Sequence, residues 1–163
     1  RVPRFAFRLP LIREMERLSY FGMGPYECYR DFSAQSKHGW YASTVSAEYS
    51  DYLRPQDCGN HLDVKHLSLS DGETTLTATV RNGADSEHGM AGPVMEFSAL
   101  HYTIEDMDKA EHPFVLPDSG TTELLLCYRN NGIGTGSCGP VLMPKYRFTD
   151  KEFDFAFTFS VHS

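Results

Sequence analysis

The sequence predicts an all-β protein, an antiparallel two-sheet β-sandwich with one short helix. Three observations support this fold class. Apolar and polar residues alternate along several segments, turn-forming residues separate those segments at intervals of roughly 8–12 residues, and 13% of the residues are aromatic. The length of 163 residues predicts a single domain over residues 1–163, with a core large enough to be stable without disulfide bonds.

Three strands are predicted in the first half of the chain. Residues 4–9 alternate so that the apolar side chains share one face of the strand, and residues 61–70 also have the composition of a strand. Residues 74–80 are rich in β-branched side chains, and Asp71-Gly72 supplies the turn that precedes them.

Three more strands are predicted in the second half, at residues 95–103, 122–129 and 153–161. The last has the clearest pattern, because large apolar side chains occupy every second position from Phe153 to Val161 and small or polar ones lie between them. This pattern is typical of an antiparallel strand that buries one face.

The short helix is predicted near residues 104–111. Thr103 is a suitable N-cap, acidic residues follow in the first turn, and Pro113 would end the helix. Because carboxylates are favoured near a helix N-terminus on electrostatic grounds alone, we interpret the acidic side chains as an exposed helix face and not as catalytic acids. They are Glu105, Asp106, Asp108 and Glu111.

The net charge of −7 and the absence of any lysine or arginine cluster argue against nucleic acid and anionic membranes as partners. No apolar run approaches the ~20 residues of a membrane span. The N-terminal segment lacks both an initiator methionine and the features of a signal peptide, so we expect a fragment of a longer protein. A cytoplasmic location is the expectation, with the periplasm and secretion left open.

Two further groups of residues were weighed as sites. His61, Asp63 and His66 resemble a metal-ligand cluster, but on one strand His66 would point away from the other two, so surface or sheet-edge histidines are the expectation and no metal site is predicted. The four cysteines are widely spaced and lack a CxxC pair, which predicts reduced thiols that serve as packing residues. They are Cys28, Cys58, Cys127 and Cys138.

Residues 132–140 form the segment "GIGTGSCGP", which contains four glycines. Such a loop either folds tightly or lets another group approach the backbone closely. No helix is predicted after it and no lysine is suitably placed, so the pattern of a phosphate-binding loop is not met. Nothing in the segment marks Cys138 as an activated nucleophile.

Four segments, in order, resemble the C-terminal domain of family 2 β-galactosidases. Residues 20–31 contain "GMGPYECYRD", which is similar to GxGPxExYxD, and residues 52–60 are similar to a YxxPQExGN motif. Residues 96–112 and 127–148 resemble the family's FSxxxYTxExLxxAxH and GIGxxSCGP segments. Together the four cover nearly the whole chain, and their order is far more specific than any one of them.

This resemblance implies that the chain is the C-terminal part of a large two-sheet β-sandwich domain. Such a domain is of the supersandwich, or galactose-mutarotase-like, type. The enzyme would hydrolyse terminal β-D-galactosides with retention, as a homo-oligomer, aided by Mg²⁺ and a monovalent cation bound outside this region. Its catalytic glutamates would lie on a (β/α)₈ barrel, which needs about 250 residues and is absent here. No residue of this chain is therefore expected to be catalytic, and its partners would be the other domains and the β-galactoside substrate.

The resemblance also implies a role for the glycine-rich loop. In the best-known members a loop tryptophan stacks on the leaving sugar, and Cys138 stands at that position, so Gly136, Ser137 and Cys138 are the candidate substrate-binding residues. Cys138 would either widen that subsite or pack beneath the loop, and both alternatives stay open. The alternative function is a stand-alone carbohydrate-binding module that stacks sugars on Trp40 and Tyr41; a purely structural oligomerisation domain is a third.

Overall fold

The computed structural model describes residues 4–133 and 141–163. The strands, in chain order, are β1 (Arg4–Ile12), β2 (Arg17–Gly24), β3 (Lys37–Thr44), β4 (His61–Val64), β5 (His66–Ser70), β6 (Thr75–Asn82), β7 (Met95–Leu100), β8 (Thr121–Asn130) and β9 (Ala156–His162). They form a four-stranded sheet in the order β1-β8-β7-β4 and a five-stranded sheet in the order β3-β2-β5-β6-β9. All the pairings are antiparallel, so the predicted all-β, two-sheet architecture is confirmed.

The core lies between the two sheets. Tyr20 of β2 and Phe97 of β7 are fully buried, and their ring centroids are 5.1 Å apart, so this aromatic pair joins the sheets. Leucines from both sheets complete this layer, and they are Leu18, Leu67, Leu69, Leu124 and Leu126. Burial of these side chains is the main term that stabilises the fold.

The predicted strand at residues 61–70 is in fact two strands, and that expectation is wrong. β4 belongs to the four-stranded sheet and β5 to the five-stranded sheet. Asp63 adopts a φ of 55°, a left-handed conformation that interrupts the extended backbone, and Lys65 carries the chain from one sheet to the other. At Lys65 the N–H donates to the Phe21 carbonyl at 2.9 Å and the carbonyl accepts from Val80 N–H at 3.1 Å.

The alternation predicted for residues 153–161 is present, but only part of its apolar face is covered. Phe155 and Phe157 pack against the core and Phe7 of β1 lies across from them, 5.1 Å from Phe157 between ring centroids. Further along β9, Phe159 and Val161 are 36% and 65% exposed. β1 and β9 are the edge strands on this side of the sandwich, so an apolar strip runs along an open edge.

The single helix described, α1 (Ile104–Lys109), confirms the predicted position and cap. Thr103 Oγ1 accepts from the Asp106 N–H at 3.0 Å, and its hydroxyl donates to the Asp106 carboxylate at 2.7 Å. The helix ends before Pro113, which begins a short 3₁₀ turn. Within the described residues no helix is long and apolar enough to cross a membrane.

Candidate functional site

The four segments that carry the sequence motifs meet at one end of the sandwich, where Asn60 hydrogen-bonds to a residue from each of the other three. Its backbone carbonyl accepts from Cys28 N–H at 2.7 Å, and its side-chain amide donates to the Cys28 carbonyl at 3.0 Å. The same amide donates to the Glu96 carboxylate at 3.1 Å, and Asn130 donates to the Asn60 side-chain oxygen at 2.7 Å. All four residues are buried, so these bonds fix the relative positions of the segments.

Glu96 is the ionisable group of this network. Burial raises its pKa to about 7, even though hydrogen bonds from the Asn130 backbone and the Asn60 side chain favour the ionised form. The carboxyl therefore carries its proton in the folded protein at mildly acidic pH.

A second carboxylate, Glu27, joins the first two motifs directly. It accepts from Gly59 N–H at 2.8 Å and from the hydroxyl of Tyr52. Gly59 has a φ of +71°, and a Cβ at that position would come within 2.8 Å of the Glu48 carbonyl oxygen, so only glycine fits this turn. The glycine of the second motif is thus required by backbone geometry.

Arg30 and Asp31 of the first motif hold both ends of the glycine-rich loop. The Asp31 carboxylate accepts from Ile133 N–H at 2.9 Å, just before residues 134–140. The Arg30 guanidinium donates to the carbonyls of Lys145 and Arg147, each at 3.2 Å, shortly after them. Two adjacent residues therefore bind the chain directly before the loop and again five to seven residues after it.

The candidate substrate-binding residues Gly136, Ser137 and Cys138 lie outside the described residues. Of the apolar side chains that flank them, Val141 and Met143 are 74% and 55% exposed. The base of the loop thus presents apolar surface to its surroundings.

His61 lies on a strand at the sheet edge, as the prediction allowed, but it is not a surface residue. Although β4 is an edge strand, the ring is fully buried and stacks on Phe97, with centroids 5.1 Å apart. Its Nε2 lies 2.5 Å from the Glu48 carboxylate and its Nδ1 lies 3.0 Å from the Tyr20 hydroxyl. These partners come from β2 and from the 3₁₀ turn Val45–Glu48, and they allow a polar ring to be buried.

The predicted cluster of His61, Asp63 and His66 is not formed, because His66 lies on β5 in the other sheet. Asp63 accepts instead from Ser86 at 2.5 Å and pairs with His38 at 2.9 Å. Hydrogen bonds with His88, Ser86 and His38 hold the pKa of the Asp63 carboxyl below its usual value despite burial. Within residues 4–133 and 141–163 no group of three or more potential ligands is arranged to hold a metal ion.

The structure also describes three of the four cysteines and the acidic helix. Cys28, Cys58 and Cys127 are free, buried thiols, and burial raises the pKa of each to about 12, so they are packing residues. On the exposed helix face, the Glu105 carboxylate accepts a hydrogen bond from Arg8 at 3.0 Å.

A groove that the sequence patterns did not predict lies beside the first motif. Its volume is about 730 Å³, which is in the range of ligand pockets, and Tyr26 and Phe32 line it with exposures of 65% and 44%. Gln35 and Ser43 contribute polar groups to its wall. The signal for it was the presence of Tyr26 and Phe32 in the segment "GPYECYRDF", which has no strand pattern that would bury both of them.

Trp40 and Tyr41 point to opposite faces of the five-stranded sheet and cannot form one stacking platform. Tyr41 faces inward, 5.4 Å from the ring of Tyr20, while Trp40 is 68% exposed on the outer face. A sugar that stacks on this sheet would meet Trp40 alone.

Comparison with known proteins agrees with the motifs. The family model described as β-galactosidase small chain matches residues 1–159. Similar proteins include the β-galactosidases of Staphylococcus xylosus, 28% identical over 96% of this chain, of Actinobacillus pleuropneumoniae, 29% identical over 96%, and of Arthrobacter sp. strain B7, 34% identical over 88%. The chain spans only 14% to 15% of the length of these relatives.

Proposed function

The chain belongs to the β-galactosidase small-chain family, and on that premise we propose that it is the C-terminal sandwich region of a β-galactosidase. The enzyme would hydrolyse terminal non-reducing β-D-galactose residues with retention of configuration. The catalytic residues, the Mg²⁺ and the monovalent cation would all lie in other parts of that enzyme. This region would pack on the catalytic barrel and hold the loop at 134–140 against the leaving-group subsite.

The observation that carries the proposal is the common anchoring of the four motifs. Asn60 joins one residue from each, and Arg30 and Asp31 fix both ends of the loop. Such a frame would hold a loop in a defined place, which a subsite wall requires.

The exposed apolar surface supports packing against other domains. The open edge carries Phe5, Phe7 and Val161, each at least 40% exposed, and the base of the loop adds Val141 and Met143. Contiguous apolar surface on a folded protein marks a contact site. Residues 1–163 would form one unit of a homo-oligomeric, cytoplasmic enzyme.

The 163-residue chain by itself should not hydrolyse a chromogenic β-galactoside. A retaining mechanism needs two carboxyl groups about 5–5.5 Å apart, one as acid/base and one as nucleophile, in a substrate pocket. Purified chain with the circular dichroism spectrum of a β protein is assayed beside the intact enzyme. Turnover that co-purifies with the chain would contradict the assignment of catalysis to another domain.

In the intact enzyme, Cys138→Trp should strengthen binding of a glucose or aryl leaving group. Aromatic contacts are worth roughly 0.5–1.5 kcal/mol beyond buried area, so we expect at most about a tenfold rise in kcat/KM for substrates with such leaving groups. Inhibition by galactose should stay nearly unchanged. The measurement is the dependence of kcat/KM on the leaving group, together with the melting temperature.

The alternative position for Cys138 gives the opposite result. If the thiol packs beneath the loop, a tryptophan overpacks it and destabilises the protein by about 1–3 kcal/mol. A lowered melting temperature with an unchanged leaving-group profile would therefore contradict a role in the subsite. Cys138→Ala serves as control, because it removes the thiol without adding a ring and should leave that profile as it is.

A further inference from the structure

The outer face of the five-stranded sheet carries a cross-strand row that begins with aromatic rings. Trp40 of β3 lies opposite Phe21 of β2, and Phe21 lies opposite His66 of β5. The row continues through Thr79 of β6 to Thr158 of β9. Because alternate residues of a strand face opposite ways and the intervening side chains are in the core, this whole row points outward.

The neighbouring row, two residues along each strand, is made of small side chains, mostly hydroxyls. Ser19 and Ser68 are linked through their oxygens at 2.7 Å, and Thr77 and Ser160 at 2.5 Å. Ala42 completes the row on β3. The result is a strip of hydroxyl groups beside the aromatic rings. Neither row itself contains a charged side chain, and one arginine, Arg81, borders the face and donates to the Thr158 hydroxyl at 2.9 Å.

Trp40 contacts two neighbouring rings on this surface and remains open to solvent. Its ring lies 5.3 Å from the ring of Phe21 and 5.7 Å from that of His66, between centroids. Even with these contacts it is 68% exposed. The indole thus packs against two rings and still has most of its surface available to contact a ligand.

The two rows together, here called the Trp40 face, match the chemistry of a pyranose ring. A pyranose has a C–H surface that packs on an aromatic ring, and it has hydroxyls that exchange hydrogen bonds with serine and threonine. The core of a protein interface would be more apolar than this strip. A nucleic acid would need cationic side chains, which both rows lack.

We propose that the Trp40 face is a binding site for a pyranose unit of a neutral β-galactan, with the ring stacked on Trp40 and its hydroxyls over the serine–threonine row. The choice of galactose rests on the proposed function, whereas the pyranose chemistry rests on the face itself. An active site that hydrolyses terminal galactose residues accepts only the outermost sugar of such a polymer. The Trp40 face would therefore bind internal sugar units.

Native gel electrophoresis of the intact enzyme through gels with and without soluble β-1,4-galactan tests the proposal. The polymer should retard the wild-type protein, and Trp40→Ala should raise the apparent dissociation constant at least tenfold. Ser68→Val, which removes a central hydroxyl but suits a strand, should raise it several-fold. Leu53→Ala is the matched control, because Leu53 is an apolar residue 92% exposed elsewhere, and it should behave as wild type.

Equal retardation of wild type and Trp40→Ala would overturn the proposal, as would equal loss in Leu53→Ala. A change of sedimentation coefficient in Trp40→Ala would also overturn it, because the face would then be an interface between copies. Hydrolysis of a small chromogenic galactoside is measured on the same proteins and should be unchanged by Trp40→Ala. Retardation does not depend on that activity, so a protein without galactosidase activity would contradict the proposed function and leave the test of the face intact.

Discussion

Phe97→Ala is expected to lower the free energy of unfolding by about 3–5 kcal/mol. The ring is fully buried, and it contacts Tyr20 of the opposite sheet and the imidazole of His61. Its removal loses the transfer free energy of a large aromatic group and leaves a cavity between two sheets that cannot collapse freely. Since domains of this size are stable by only about 5–15 kcal/mol, the variant would lie near the limit of folding.

Urea denaturation of wild type and variant gives this difference directly. Phe114→Ala is the matched control, since it removes the same ring from a residue that is 84% exposed, and it should change stability by no more than about 0.5 kcal/mol. A loss below about 1 kcal/mol for Phe97→Ala would show that the contact between the sheets does not depend on this ring.

The second large expected effect is a dependence of the free energy of unfolding on pH, caused by the titration of Glu96. The folded protein binds the proton with a pKa of about 7, whereas the ordinary value is 4.5. The folded state therefore holds more protons than the unfolded state between these values, and stability falls as pH rises. The stabilisation that the protonated Glu96 carboxyl gives to the folded state is fully present below about pH 4.5 and is lost as pH rises through about 7. Its full size is about 3 kcal/mol.

Glu96→Gln should remove this dependence, because glutamine mimics the protonated carboxyl at every pH. The variant should match wild type at or below about pH 4 and be more stable than wild type by about 3 kcal/mol at pH 8. Glu105→Gln is the control: the pKa of that exposed carboxyl is held below its usual value, chiefly by a backbone hydrogen bond, so it titrates outside this window. Parallel pH profiles for wild type and Glu96→Gln would refute the assignment.

Sequence reasoning found strands by regular alternation or by strand-like composition, and it missed β2 and β3. Both contain glycines, which weaken a strand pattern. Gly22 is required because β4 passes close by: a Cβ there would lie 2.7 Å from a methyl group of Val64. That reason lies in another strand more than forty residues away, so no local pattern could reveal it.

Local sequence patterns are limited in the same way for the candidate site. The motifs predicted that four segments matter, and the structure confirms that they meet, but Asn60 as their common partner could not be inferred from the sequence. His61 was misjudged because its burial depends on Glu48 and Tyr20, which come from other elements. Burial of a polar group depends on its partners, and partners distant in sequence are what local patterns omit.

The pairing of β1 with β8 affects how the chain folds as it is synthesised. Arg8 of β1 donates a hydrogen bond to the carboxylate of Glu123 on β8, and these two residues are 115 positions apart in the sequence. At about 5–20 residues per second, β1 would leave the ribosome roughly 6–23 s before its partner exists. Throughout that interval Phe5 and Phe7 stand on an unpaired strand, which is the kind of segment that nascent chains aggregate through and that chaperones cover.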